Sequence, residues 1–166
     1  MARLQVKGLD EYSEKLQKLY KDSEIIMKKA IYKSAGFVAD NMKAAINSIP
    51  IQEGPGGLPP YGSQSEPLVG ISRKQKGDLM DGFGISAFEK ENGYLNVKLG
   101  FDGYGSIPTK QYPQGLPNVL LARSITTGTS FRRKNPAIRQ AVQKSKKQAV
   151  EIMSNSIDED IRKDFG

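Results

Sequence analysis

The segment Ser23–Pro50, SEIIMKKAIYKSAGFVADNMKAAINSIP, decides the fold of this chain. Its apolar residues recur at spacings of three and four over about seven helical turns, which predicts a long amphipathic helix. Ser23 is a favourable N-cap, and Pro50 disfavours helical geometry at Ile49, so the helix is expected to run between them. The predicted apolar face is formed by Met27, Ala30, Ile31, Ala35, Val38, Met42, Ala45 and Ile49.

Upstream of this segment, the sequence predicts a short strand followed by a separate helix. Leu4 and Val6 alternate with polar residues over Arg3–Gly8, which is typical of a strand. Asp10 is a suitable N-cap for a helix whose apolar stripe is Leu9, Tyr12, Leu16 and Leu19. We expect both helices to pack on the same face of a sheet.

Downstream, the segment from 50 to 77 holds five of the nine prolines and six of the seventeen glycines. This composition predicts a loop without regular structure, ending in the basic cluster Arg73-Lys74-Gln75-Lys76. No Gly-Lys-Ser/Thr motif is present, so a phosphate-binding loop is excluded. Loops of this length are either functional or disordered, and we interpret this one as an arm that reaches a neighbouring subunit.

A β-hairpin is predicted next, from Asp78–Glu89 and Tyr94–Phe101, with Asn92-Gly93 as its turn. The alternation places Phe83, Ile85 and Ala87 on one face of the first strand. A second irregular stretch follows from Asp102 to Pro117. Its Tyr104 and Tyr112 are either interface anchors or side chains that fold back on the domain.

The last third of the chain predicts two further elements. Val119–Ile125 is either a short helix or a buried strand, and Pro117-Asn118 favours the helix. Asn135 and Pro136 then begin a long helix as N-cap and first residue. Its apolar stripe is Ile138, Ala141, Val142, Ala149, Ile152, Met153, Ile157 and Ile161, with Ser145 in the gap.

Charge in this last helix runs against the helix macrodipole. Basic residues crowd its first half and acidic residues its end; they are Arg139, Lys144, Lys146, Lys147, Asp158, Glu159 and Asp160. The basic half therefore indicates an acidic partner, with simple solubility as the alternative.

Composition excludes several classes of function. The chain has no cysteine and no histidine, which removes disulfides, the usual structural zinc sites, cysteine nucleophiles and Ser-His-Asp catalysis. Its net charge of +7 permits contact with nucleic acid or acidic proteins. A mean hydropathy of -0.51 favours apolar surface buried against partners, or segments that order on binding. Neither a secretory signal nor a membrane span is visible, so the protein is expected to be made in the cytoplasm.

Taken in order, these elements resemble the tail-component family of tailed bacteriophages, also described as tail-completion or neck proteins. Val6-Lys7-Gly8-Leu9-Asp10 is similar to the family's opening, and the long Ala/Lys helix ends in a proline, here Pro50. Gly77 and Leu79 match a later Thr-Gly-x-Leu motif, in which Lys76 replaces the threonine. Gly128-Thr129-Ser130, followed by Asn135-Pro136 and a terminal helix, is the strongest match, although the family's aromatic residue after the proline is absent.

The resemblance implies a single α+β domain over residues 1–166, with a small antiparallel sheet packed against long helices. The extended loops at about 50–77 and 102–118 follow from their Gly/Pro content and look like expansions of the family pattern. It also implies a structural protein of the virion without a cofactor. Such a protein assembles as a ring of six copies, or of twelve on a connector. Its partners would be other copies of itself, the connector or head-completion protein, and the tail terminator or tail tube. The candidate interface residues are Tyr61, Arg73, Lys74, Lys76, Tyr104, Tyr112, Gly128, Thr129, Arg132, Arg133 and Lys134.

Two alternatives come from the residues themselves. A nucleic-acid-binding accessory protein is favoured by the net charge and by the basic residues of the two candidate segments and of the last helix. No helix-turn-helix, zinc or stacking motif accompanies them, so we expect only nonspecific contact with DNA. A carboxylate enzyme would use Asp78, Asp81, Asp102 or the run Asp158–Glu159–Asp160, none of which has a spacing that demands catalysis.

Overall fold

The computed structural model describes residues 9–165, so the strand predicted over Arg3–Gly8 lies outside the described residues. Within them, four helices and two small antiparallel sheets of two strands each make an α+β fold, as expected. The helices are α1 (Leu9–Ser48), α2 (Arg73–Gly82), α3 (Asn118–Thr127) and α4 (Ala137–Phe165). The strands, all between α2 and α3, are β1 (Phe83–Ile85), β2 (Glu89–Glu91), β3 (Tyr94–Asn96) and β4 (Leu99–Phe101).

Helix α1 is continuous over 40 residues, so the prediction of two separate helices is wrong. Ser23 does not act as an N-cap; its hydroxyl donates to the carbonyl of Tyr20 at 2.8 Å, a pattern seen for serines inside helices. Residues 20–24 contain neither glycine nor proline, so nothing in them ends the first helix. The predicted apolar faces are also partly wrong, because Leu16 and Met27 are more than two-fifths exposed.

Helix α4 lies antiparallel along α1, and this pair forms the body of the molecule. Small polar residues line the contact: the Ser34 hydroxyl donates to the Ala149 carbonyl at 2.8 Å, and the Asn41 amide donates to the Ser145 hydroxyl at 2.8 Å. The N-cap prediction for α4 is confirmed, since the Ala137 amide donates to the Asn135 side chain at 3.0 Å. The main packing is therefore helix on helix, which corrects the expectation of helices lying together on a sheet face.

Ion pairs join lysines between residues 18 and 33 of α1 to the acidic end of α4. Lys29 contacts Asp160 at 2.7 Å, Lys18 contacts Asp164 at 2.9 Å, and Lys33 approaches Glu159 at 3.8 Å. Acidic residues at the C-terminal end of α4 are unfavourable for the helix macrodipole. Lysines of the antiparallel helix α1 compensate for this by pairing with them.

The hydrophobic core sits at the C-terminal end of α1, where the short elements gather. Ile46, Ile49, Ile71, Leu79 and Ile125 are the large apolar residues with less than 2% exposure. They come from α1, the loop after it, α2 and α3. The segment predicted as either a helix or a buried strand is the helix α3.

Helix α2 was not predicted from the sequence. Its residues were expected to form the end of a loop and the start of a strand. Ser72 is its N-cap, with Gln75 three residues later completing a reciprocal capping box. The basic cluster Arg73-Lys74-Gln75-Lys76 is therefore the first turn of a helix rather than the end of an arm.

The predicted hairpin is present, but it begins at Phe83 instead of Asp78 and contains a bulge. Asn92 and Gly93 both have positive φ, at 52° and 82°, as a two-residue hairpin turn requires. Between the two strand pairs, residues 86–88 oppose residues 97–98, so the first strand carries one extra residue. The predicted alternation fails there: Ala87 is exposed, and the Phe88 ring packs edge-on against Tyr32 of α1 with centroids 4.6 Å apart.

Candidate protein–protein interface

The loop after α1 folds back on its own domain at its base. The Ile71 amide donates to the Pro50 carbonyl at 3.0 Å, and the Gln52 amide donates to the Ile71 carbonyl at 2.9 Å. Residues 68–71 also pair with the turn before α4, because the Leu68 amide donates to Phe131 and the Arg133 amide to Leu68, each at 2.8 Å. Three segments, 50–52, 68–71 and 131–133, therefore lie side by side.

Two glycines allow these segments to approach closely. A Cβ added at Gly70 would overlap the carbonyl oxygen of Pro50, and one added at Gly62 would overlap that of Phe131. The Gln52 side-chain oxygen further accepts from the amides of Val69 and Gly70 at 2.8 and 2.9 Å. The loop is thus shaped by contacts within its own chain. Whether its outer part also reaches a neighbouring subunit stays a prediction.

Gly128 begins a tight turn between α3 and α4. Gly128 has φ 77°, and a Cβ there would lie 3.0 Å from the Lys134 nitrogen, so the position favours glycine. The Thr129 amide donates to the Arg132 carbonyl at 2.9 Å, which closes the turn. Gly128 and Thr129 therefore belong to a tight local turn, and their place at an interface stays a prediction.

Arg132 is not part of an exposed basic link, which corrects its place among the interface candidates. Its side chain is 6% exposed, and Nη1 donates to the Gly70 carbonyl at 2.6 Å. Burial lowers the pKa of this guanidinium, and its Nε has no hydrogen-bond partner among the described residues. Phe131, in the turn closed by Thr129 and Arg132, and Arg133, which follows the buried Arg132, are both exposed.

The exposed residues of the loop and the turn form an apolar patch with a basic edge, which we call the loop–turn surface. Tyr61 is fully exposed at the tip of the loop, beside Gly62, which touches the Phe131 backbone. Large exposed apolar patches bordered by polar residues are typical of binding surfaces, protein–protein interfaces among them. The loop–turn surface consists of Ile51, Leu58, Tyr61, Val69 and Phe131, each at least 40% exposed, together with the exposed Arg133 and Lys134.

The remaining basic candidates have different roles. The Lys76 ammonium donates to the carbonyls of Asn47 and Ile49 at 2.8 and 2.7 Å, so it caps the end of α1. Arg73 is exposed and forms an ion pair with Glu53 of the loop. Lys74 is exposed on the same turn, near the base of the loop.

Tyr104 and Tyr112 lie on a separate segment that packs along α2 and the start of α3, where the Asn118 amide donates to the Gly103 carbonyl at 3.0 Å. Within this segment, Gly105, Ile107 and Thr109 line a small pocket together with Pro59 of the loop. Tyr112 is half-buried in a turn closed by the Thr109 amide, so it folds back on the domain. Tyr104 is 62% exposed.

A groove that sequence reasoning missed lies on the outer face of β1 and β4. Gly84 and Gly100 are directly paired across the strands, and no atom lies within 4 Å of a Cβ added at either. Their lack of side chains leaves an open groove of about 600 Å³, with Asp81 and Asp102 at its edge. The signal was present in the sequence, because the Asn92-Gly93 turn brings the two glycines close to opposite positions.

The acidic residues considered for catalysis are engaged in structural contacts or exposed. Asp78 accepts from the Ser106 amide and hydroxyl at 2.8 and 3.0 Å, and Asp160 is paired with Lys29. Over residues 9–165, no group of three acidic side chains is arranged to hold a metal ion. In the same range, no helix combines the length and the apolar character needed to cross a membrane.

Comparisons of the chain with protein-family models, with curated proteins and with solved structures found no match. Function is therefore inferred from the surfaces of the molecule and from the resemblance carried by its motifs.

Proposed function

We propose that this chain is a structural virion protein of a tailed bacteriophage that joins or completes the tail at the neck and assembles as a ring. One observation carries the proposal: two segments that the sequence marks as distinctive, the Gly/Pro-rich loop and the Gly128-Thr129-Ser130 turn, lie together in one exposed apolar surface.

The loop–turn surface has the physical properties of a binding surface. Its aromatic residues, Tyr61 and Phe131, stand on backbone that is held by hydrogen bonds and close glycine contacts. Binding through such residues loses little conformational entropy, because the backbone is already ordered. Buried aromatic anchors of this kind dominate the energy of many interfaces.

In the proposed neck ring, each copy contacts the next through a heterologous interface that closes on itself. The resemblance favours six copies, with the connector or head-completion protein on one side and the tail terminator or tail tube on the other. The protein joins these parts without turnover and without a cofactor.

The proposal is tested by mass and by binding. The molar mass of the purified protein is measured by light scattering. The protein is then mixed with phage tails or connector-filled capsids, and co-sedimentation is measured. We expect oligomers or sedimentation with the particles, and loss of both in the Tyr61→Ala/Phe131→Ala double variant. Tyr94→Ala is the matched control, because Tyr94 is 78% exposed on the hairpin, away from the surface. A protein that binds neither particle, or that stays monomeric both alone and on the particles, would overturn the proposal.

Contact with DNA is a second candidate, favoured by the first half of α4. Lys144, Lys146 and Lys147 are all exposed there, and none forms an ion pair with another described residue. Three of the other basic residues invoked for this role are already engaged, namely Arg73, Lys76 and Arg132. Titration against duplex DNA at two salt concentrations tests it. Binding that disappears at physiological salt indicates nonspecific attraction only.

A further inference from the structure

Two surfaces of opposite charge lie beside the two ends of helix α2. Its N-terminal end, at Ser72, adjoins the loop–turn surface with Lys74, Arg133 and Lys134. Its C-terminal end, at Gly82, adjoins the groove with Asp81 and Asp102. Ten helical residues separate the two ends by about 15 Å, so a single copy presents a basic apolar surface and an acidic groove at different places.

The groove has a shape that suits a flat, rigid occupant. Its floor is the backbone of Gly84 and Gly100, which carries no side chain. Ile85, Leu99 and Phe101 contribute to its lining. The groove's volume of about 600 Å³ lies in the ~300–1,000 Å³ range of sites that enclose small ligands. One aromatic side chain with its flanking residues therefore fits.

The charge of the groove is acidic at one edge. Asp81 is exposed and forms no ion pair with a described residue, and the Asp102 carboxylate accepts only from the Gly103 amide. At the other edge, the Lys98 ammonium is already paired with Glu89 at 2.7 Å. An occupant with a basic border is therefore favoured over an acidic one.

We infer that this groove receives the loop–turn surface of a second copy of the chain. Tyr61, between Pro60 and Gly62, lies over Gly84 and Gly100 of the neighbour, while Arg133 and Lys134 face its Asp81 and Asp102. The inference deepens the proposed function and rests on it, because it supplies the contact between successive ring subunits.

Such a contact is heterologous by construction. Donor and acceptor are different surfaces of the same chain, so each copy that fills a neighbour's groove leaves its own groove open for another copy. Repetition of the contact gives a closed ring or a filament instead of a two-fold dimer.

The first test fills the groove. Gly84→Leu adds a side chain where no atom lies within 4 Å, so the chain is expected to fold. Its self-association, measured by sedimentation equilibrium, should fall by about tenfold or more. Gly77→Leu is the matched control, because Gly77 is an exposed glycine of α2 with equally open space around it. Equal association of Gly84→Leu, Gly77→Leu and wild type overturns the inference.

The second test exchanges charges. Asp81→Arg and Arg133→Glu are each expected to weaken self-association by about tenfold, since like charges then meet across the contact. Combined in one chain, they restore it. Failure of the combination to recover any of the loss shows that the two residues do not face each other and overturns the proposed pairing.

The outcomes separate the inference from the function it rests on. A ring that binds tails but is unaffected by Gly84→Leu leaves the neck proposal standing and removes the groove contact. If self-association depends on Gly84 but the protein binds neither tails nor capsids, the groove contact stands and the neck proposal is removed. A wild-type chain that remains monomeric both alone and on tails removes both.

Discussion

At the residue scale, Lys76 shows how a basic residue that resembles a binding determinant serves the fold instead. Its ammonium donates to two carbonyls at the end of α1, those of Asn47 and Ile49. Because these carbonyls have no partner further along the helix, their loss of a charged donor is costly. The basic cluster at 73–76 thus combines a helix cap, an ion pair and one exposed lysine.

We expect Lys76→Met to lower the free energy of unfolding by about 1–2 kcal/mol. Lys74→Met, an exposed position in the same turn, should change it by less than about 0.5 kcal/mol. Urea unfolding of the two variants measures the difference. Equal stabilities would mean that the cap contributes nothing.

Gly115 provides a second test at this scale. Its φ is 111°, and an added Cβ would overlap the carbonyl oxygen of Gly105. We expect Gly115→Ala to destabilise the fold by about 2 kcal/mol or more, through backbone strain and loss of the contact. Gly77→Ala, with open space and helical backbone, should instead stabilise it by up to about 1 kcal/mol. Thermal unfolding of both variants checks the opposite signs.

At the element scale, the contact between α1 and α4 depends on small residues. Ser145 is 2% exposed and accepts a hydrogen bond from Asn41, so no space is left for a larger side chain. Ser145→Leu is expected to destabilise the pair by about 1–3 kcal/mol through overpacking and loss of a polar partner. Ser154→Leu, exposed on the same helix, should be close to neutral. The free energies of unfolding of the two variants are measured with a denaturant. Equal values would contradict the proposed close packing.

The ion pairs between α1 and α4 make the stability depend on pH. A hydrogen bond from Lys29 lowers the pKa of Asp160 below its ordinary value of 3.8. A depressed pKa contributes stability above the unfolded-state value, and this contribution is lost as the pH falls through the folded-state value. Asp160→Asn should therefore melt earlier than wild type near neutral pH, with the difference vanishing in acid.

Asp158→Asn is the matched control for this pH dependence. Asp158 is exposed on the same turn and pairs with no described residue, so its loss should leave the melting temperature nearly unchanged at each pH. A constant difference between Asp160→Asn and wild type from neutral to acid pH would mean that ionisation of Asp160 is not the cause.

Local patterns predicted some elements well and others poorly. The Asn92-Gly93 turn and the Asn135 cap of α4 act within a few residues, so the sequence sufficed for both. Helix α2 was missed because glycines around it suggested a loop, although Ser72 and Gln75 carried the capping-box signal. The break in α1 was predicted from Ser23, because serine is favoured at N-caps, but its hydroxyl can also bond back to the preceding turn inside a helix.

At the scale of the whole molecule, the core lies at one end and the paired helices extend from it. Ile46, Ile49 and Leu79 are nearly inaccessible, whereas Tyr20 and Ile25 on the distal part of α1 are 83% and 65% exposed. Regions with few buried apolar contacts open at lower free energy than the core. The distal end is therefore expected to open before the rest.

Hydrogen exchange followed by mass spectrometry tests this gradient. Peptides from residues 11–25 and 155–164 should exchange much faster than peptides from 40–49 and 119–126. The two groups would exchange at similar rates if the molecule opened only by global unfolding, which would contradict the local opening expected here. Any oligomer that covers the distal helices would also protect them, so the measurement is made on dilute, monomeric protein.

The sequence by itself determined the helical character of α1 and α4, the Asn92-Gly93 hairpin turn and the absence of cysteine and histidine chemistry. These follow from periodicity, capping and residue type, which act over short distances along the chain. Only the tertiary structure decided that Arg132 is buried, that Lys76 caps α1, and that the acidic end of α4 meets lysines of α1. It also decided that Tyr61 and Phe131 share a surface and that Gly84 and Gly100 form the floor of a groove. Each of these depends on pairing between segments distant in sequence, which no local pattern encodes.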